Sequence, residues 1–310
     1  MKAGVNSFFW ALTGAAVLGV LMFVVFYFQP GQTPAEQVAL KTRKSELAGQ
    51  IRVALASAAE AEKSAVLAIT DEESVAFANQ ARAATGAAEE KRVGLSGLLQ
   101  TNGNAKEKEL LDQFSKAFSE FQQVDKELLD LAVKNTNLKA SALAFGPAAQ
   151  AMSELDSALS HITVESVTSS SSSAKHAMLS AASAQAAARR IQVLLPPHIA
   201  EESDKKMDEL EALMAKEDQD VRRDLKELTV LVPAGNADLK TATASYSRFT
   251  ELKAQILKLS RENTNVRSLS ISLNQKRKVT ALCQDTLAAL EKAIGEEPIA
   301  GTANAPVRPR

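Results

Sequence analysis

Apolar side chains recur at helical spacing from residue 106 to about 162. Ala117, Val124, Leu131, Leu138, Phe145, Met152 and Leu159 fall in one heptad row, and Phe114, Phe121, Leu128, Asn135 and Ala142 in its companion. A second such pattern runs from Asp238 to Ile294, with Leu252, Leu259, Val266, Leu273 and Leu287 beside Phe249, Ile256 and Asn263. Each long pattern is preceded by two shorter ones. Helical period runs from Ala35 to Ile69, pauses at "TDEES" and resumes from Val75 to Leu99; later it runs to Leu195, is interrupted by Pro196 and Pro197, and resumes across "EESDKKMDELEALM". The stretches "TNGNA" and "PAGNA" read as turns, and the Ser-rich run "TSSSSSA" as a linker. These elements predict an all-α fold built from four long arms, two of them broken mid-way. Many alanines and few aromatics fit close helix packing in an elongated antiparallel bundle with coiled-coil seams.

Asn-Thr-Asn stands inside both long patterns, at Asn135, Thr136, Asn137 and again at Asn263, Thr264, Asn265, 128 positions later. These are weak helix formers, because their short polar side chains compete for backbone hydrogen bonds. Moving Phe118, Phe121, Leu129 and Leu131 on by 128 gives Tyr246, Phe249, Leu257 and Leu259, so the arm is an internal duplication. If the chain folds back antiparallel about residue 103, position 70 lies opposite 136; a turn near 234 sets 264 opposite 204. The triplets then meet the helix breaks. Three roles are open to them: polar residues that set register in a seam, side chains that receive the unpaired backbone groups of a break, or groups that orient a small ligand. The six residues are the candidate ligand-binding site.

Phe8 to Phe28 carries no charge and is long enough as a helix to cross a bilayer, with Phe8, Phe9, Trp10, Tyr27 and Phe28 at its two ends. The run is longer than a signal-peptide core and ends in "YFQPGQTP", so an uncleaved anchor is expected. Ala11, Ala15 and Gly19 form a small-residue row of the kind that lets two such helices dimerise. The expected division is a short N-terminal segment 1–7, transmembrane helix 8–28, linker 29–35, helical repeat 36–165, Ser-rich linker 166–174, helical repeat 175–294 and a disordered tail 295–310.

Lys+Arg at 36 and Asp+Glu at 37 leave no basic footprint for nucleic acid. Cys283 is the only cysteine, which excludes an intrachain disulfide and a thiolate metal cluster; His161, His176 and His198 are too scattered to ligate one. No metal or cofactor is expected. With no nucleophile elbow, phosphate loop or paired catalytic carboxylates, no catalytic residue is assigned and the chain reads as a non-enzyme.

The run "AVLAITDEESVAFANQARAATGAAEEKRVGLSGLL", followed by "AKEKELLDQFSKAFSEFQQVDKELLDLAVKNTNLKASAL", resembles the extracytoplasmic four-helix-bundle sensor domain of bacterial methyl-accepting chemotaxis receptors. The acidic turn after the first helix, Phe118 with Phe121, and "ELLDLA" leading to Asn135 carry the likeness. The doubled plan is similar to the helical bimodular variant, in which two bundles stack end to end. With the anchor at 8–28, a short N-terminus before a long exported domain sets the expectation of a single-pass protein of the bacterial inner membrane with most of its chain in the periplasm, whereas receptors of the family resembled have a second span. The resemblance implies that it would there sense a small-molecule ligand and pass the signal to a separate transmembrane signalling protein or through its own span, since no cytoplasmic methylation hairpin follows Ile294. It carries no binding role onto Arg52, Arg82, Arg189 or Arg190. The alternative is an envelope scaffold that recruits partners along a helical rod.

Overall fold

The computed structural model describes residues 33–299. Among them every regular element is helical: α1 (Pro34–Leu67), α2 (Asp71–Asn102), α3 (Ala105–Ala132), α4 (Thr136–Leu143), the π turn Ala144–Ala148, α5 (Ala149–Val167), α6 (Ser172–Ala200), α7 (Asp204–Leu231), α8 (Ala237–Glu262), α9 (Thr264–Ile271), the π turn Ser272–Lys276 and α10 (Arg277–Glu296). The span expected at 8–28 lies outside the described residues, and among those described no helix is long and apolar enough to cross a membrane.

Helix starts follow from local chemistry. Thr33 and Asn104 each close a reciprocal capping box, with Glu36 and Glu107, and Thr70, Ser171, Ser203 and Asn236 each accept an orphan amide of the first turn. The acidic cluster Asp71, Glu72 and Glu73 sits at the positive end of α2.

The breaks at 68–70 and 201–203 are chain reversals, which corrects the expectation of arms interrupted mid-way. Lys44 at the start of α1 donates to the Asn102 carbonyl at the end of α2, while Ser74 at the start of α2 donates to Ala65 near the end of α1. Those bonds define an antiparallel hairpin. The second reversal lies beyond the interruption expected at Pro196 and Pro197, because α6 runs through both to Ala200. Both prolines are exposed, and the carbonyls they leave unpaired, on Gln192 and Val193, belong to residues with access to water.

Helices α1, α2, α3 and α10 form one four-helix bundle, and α5, α6, α7 and α8 form the other. Neither bundle is one continuous half of the sequence, because each long arm crosses the waist and serves both. The first core is built on stacked Phe114, Phe118 and Phe121, with Leu47, Ile51 and Leu95; the second packs the alanines of α6 closely against Tyr246, Phe249 and Ile256. Along the long arms the copies keep a spacing of 128, as the π turns beginning at Ala144 and Ser272 show. In the short hairpins the spacing is 133: the reversals begin at 68 and 201, and buried Leu55, Ala58, Glu62 and Val66 match buried Ala188, Ile191, Leu195 and Ile199.

Two expectations for the seam fail at the π turns. Phe145 is 69% exposed and Leu273 62% exposed, though strict heptad counting placed both inside. A left-handed residue followed by a π turn shifts the phase of each arm, so the buried line passes to Ala144 and Ala148, and to Ser272 and Lys276. Residues 295–297, expected to open a disordered tail, are held in place: α10 continues to Glu296, and Lys41 donates to the carbonyls of Gly295 and Glu297. Residues 300–310 lie outside the described residues.

Candidate functional site

Asn135 and Asn263 are the only non-glycine residues with positive φ among those described, at φ 51° and 53°. Asparagine is one of the few residues that enters the left-handed region at modest cost, so each triplet opens with a residue suited to ending one helix and starting the next. The helix that follows then has orphan amides in its first turn. Each arm caps the other. The Thr136 N–H donates to Thr264 Oγ1 at 3.2 Å and the Thr264 N–H to Thr136 Oγ1 at 3.1 Å; the Asn137 N–H donates to Asn265 Oδ1 and the Asn265 N–H to Asn137 Oδ1, both at 3.1 Å. An approximate two-fold axis therefore passes between the two threonines.

The amide side chains tie this knot to both reversals. Asn137 Nδ2 donates to the Ile199 carbonyl at 2.7 Å and to Asn263 Oδ1 at 2.8 Å, and Asn263 Nδ2 donates to the Glu201 carbonyl at 2.8 Å. Asn265 Nδ2 reaches Asn135 Oδ1, and Asn135 Nδ2 reaches the Asp71 carboxylate at 3.0 Å. That bond, with Lys139 beside it, holds Asp71 below its ordinary carboxylate range. A serine reinforces each reversal: Ser74 donates to the carbonyls of Ala65 and Ala132, and Ser260 to that of His198, whose buried ring lies between Ser260 and Glu211. All six candidate residues meet at the waist; Asn135, Asn137 and Asn263 reach the hairpin reversals, and Thr136, Thr264 and Asn265 bond across the arms. Their polar groups are engaged with one another and with the reversals, an arrangement that combines the register and backbone-repair roles.

A second polar group lies inside the first bundle, and periodicity alone missed it. Lys276, on the π turn, forms a buried ion pair with Asp125, which also accepts from Thr85 Oγ1 at 3.2 Å. Its ammonium stands 3.3 Å from the centroid of the Phe121 ring. Burial depresses the Lys276 pKa, opposed by the Asp125 charge. Glu62 of α1 is 1% exposed, and its Oε1 is buried with no hydrogen-bond partner. Burial raises its pKa; the neighbouring Ser272 and the charges of Lys276 and Lys63 counter this, while Asp125 adds to the rise. Glu62, Ser272 and Lys276 line a groove of about 860 Å³ between α1 and the second π turn with α10. The one advance signal was an acid and a base at buried positions of α1 and the second π turn.

Among the described residues no cluster of His, Cys, Asp and Glu is placed to hold a metal ion. Residues 49–181 match the family model described as "Four helix bundle sensory module for signal transduction", so the resemblance read from the sequence holds over that stretch. The match runs from within α1, through α2, α3 and the rising long arm, into α6. No curated protein and no solved structure matches the chain.

Proposed function

We propose that this protein is a membrane-anchored extracytoplasmic sensor that recognises a small solute between its helices and passes a helix displacement to a separate transmembrane signalling protein. The observation that carries this reading is the junction at the base of the first bundle. Lys41 and Lys44, in the opening turns of α1, bind the backbone and carboxylate of residues 295–297 at the end of α10, and Lys44 also pairs with Glu107 of α3. The helix that follows the expected anchor is thereby fixed to the end of an arm that runs the length of both bundles. A displacement along that arm is felt at the anchor. The sensory-module family match supports the same direction, and the absence of a recognised catalytic constellation in the sequence favours signalling over catalysis.

Full-length protein in detergent, screened by thermal melting against a library of metabolites, is expected to be stabilised by a restricted chemical group of solutes. A periplasm-dependent reporter fused after residue 310 is expected to be active. Silence across the library together with an active reporter would favour the envelope scaffold, in which the rod recruits proteins rather than solutes.

A further inference from the structure

The two bundles are copies, and inside the core beside the waist they differ sharply in polarity. At a spacing of 133, Glu62 corresponds to Leu195, which is also 1% exposed; at a spacing of 128, Lys276, Ser272 and Asp125 correspond to Ala148, Ala144 and Lys253. Phe121 and Phe249 are common to both. The fold therefore closes with an apolar pair where the first bundle buries an acid and a base. Taking such groups out of water is costly, and structural need does not account for them here.

The charges in the cluster do not balance. Lys276 is committed to Asp125 and to the face of Phe121, which leaves Glu62, a residue in the wall of an open groove, with one buried carboxylate oxygen bonded to nothing. The π turn that points Lys276 and Ser272 inward points Leu273 outward, and Leu273 with Leu67 and Leu269 forms an apolar wall beside the acid. We infer that the groove between α1 and the second π turn binds a small organic ammonium carrying an aliphatic arm, its N–H groups on Glu62 and its arm on that wall. A cation supplies both missing items, the donors for Oε1 and the compensating charge. An anion finds no uncommitted buried cation: Lys63 and Arg277 at the rim are exposed, where solvent screens them.

This inference rests on the sensor reading and names its ligand class. The test uses full-length protein in detergent, titrated calorimetrically with n-butylammonium, n-butyrate and n-butanol, with helicity monitored by circular dichroism. Butylammonium is expected to bind in preference to the other two. Glu62→Gln, with unchanged helicity, is expected to weaken it by about tenfold or more, as loss of a charge-assisted contact does. Glu62→Leu, which installs the residue the other bundle already accommodates, is expected to abolish binding. Preference for butyrate, or equal butylammonium binding by wild type and both variants, overturns the assignment. If no butyl probe binds while a library solute still stabilises the chain, this site falls and the sensor reading stands; if the whole library is also silent, both fall.

Discussion

Thr136 and Thr264 each give a backbone N–H to the hydroxyl of the other, and the two hydroxyls stand 3.2 Å apart in a buried interface between the long arms. Valine has the shape of threonine without the acceptor. Thr136→Val and Thr264→Val each strand the amide of the opposite arm, at a cost of about 1–3 kcal/mol in a buried site. Because the pair acts as one unit, the double variant is expected to lose less than the two single losses combined. Chemical denaturation of the four proteins of this cycle checks the coupling; additive losses would show that the hydroxyls act independently.

Asn263 combines a left-handed backbone with an amide that donates to Glu201, and two substitutions separate the contributions. Asn263→Gly keeps the backbone conformation and removes the amide, so the loss is expected to be that of the Glu201 carbonyl and one Asn137 Nδ2 donor left unpaired, about 1–3 kcal/mol. Asn263→Ala adds the steric cost of the left-handed region, about 1–2 kcal/mol more. Denaturation midpoints should therefore rank wild type, glycine, alanine. Equal midpoints for the two variants would mean that the backbone carries no strain here.

The helices and the duplication were legible because they depend on period and on local composition. Antiparallel folding about residue 103 does bring Asp71 to Asn135. What was not legible depends on non-local geometry. A pause at 68–70 reads the same whether the chain continues or reverses, and contacts such as Lys44 with Asn102 and Ser74 with Ala65 decide it. Phe145 and Leu273 were misplaced because a single left-handed residue and a π turn reset the phase that heptad counting assumes constant. The groove escaped notice for a related reason, since Glu62 and Lys276 are 214 positions apart and share no motif.

Lys44 and Glu107 form an ion pair that is almost wholly out of solvent, with the Glu107 carboxylate also closing the capping box of α3. Lys44→Met leaves that carboxylate buried without its main cation. Removing one member of a buried pair costs about 3–5 kcal/mol. Because Lys44 also holds Glu297, the same change is expected to loosen the end of α10, seen as faster hydrogen exchange in residues 290–296 than in α7. Uniform exchange changes across both bundles would argue against a local junction.

Cys283 is fully buried and its thiol is pushed up to about 12, chiefly by burial. Thiolate is the reactive form, so the native chain is expected to resist iodoacetamide at neutral pH and to react once unfolded. Rapid native labelling would show that α10 opens readily from the first bundle. The rate therefore also measures how firmly the long arm is held.

Glu62 gives the last prediction its sign. Its folded-state pKa lies above the ordinary carboxylate value, so in the pH interval between the two values the native chain binds more proton there than the unfolded chain. Stability from this group is therefore largest at acidic pH and is lost as pH rises through the raised value. Glu62→Leu removes that dependence and replaces a strained acid with the residue found at the matching place in the second bundle. The variant is expected to be more stable than wild type at neutral pH by about 1–3 kcal/mol, the scale of one poorly paired buried polar group. The advantage should shrink as pH falls toward the ordinary carboxylate range. Thermal melts of both proteins across that interval check it; an advantage that does not change with pH would mean that Glu62 keeps one protonation state throughout.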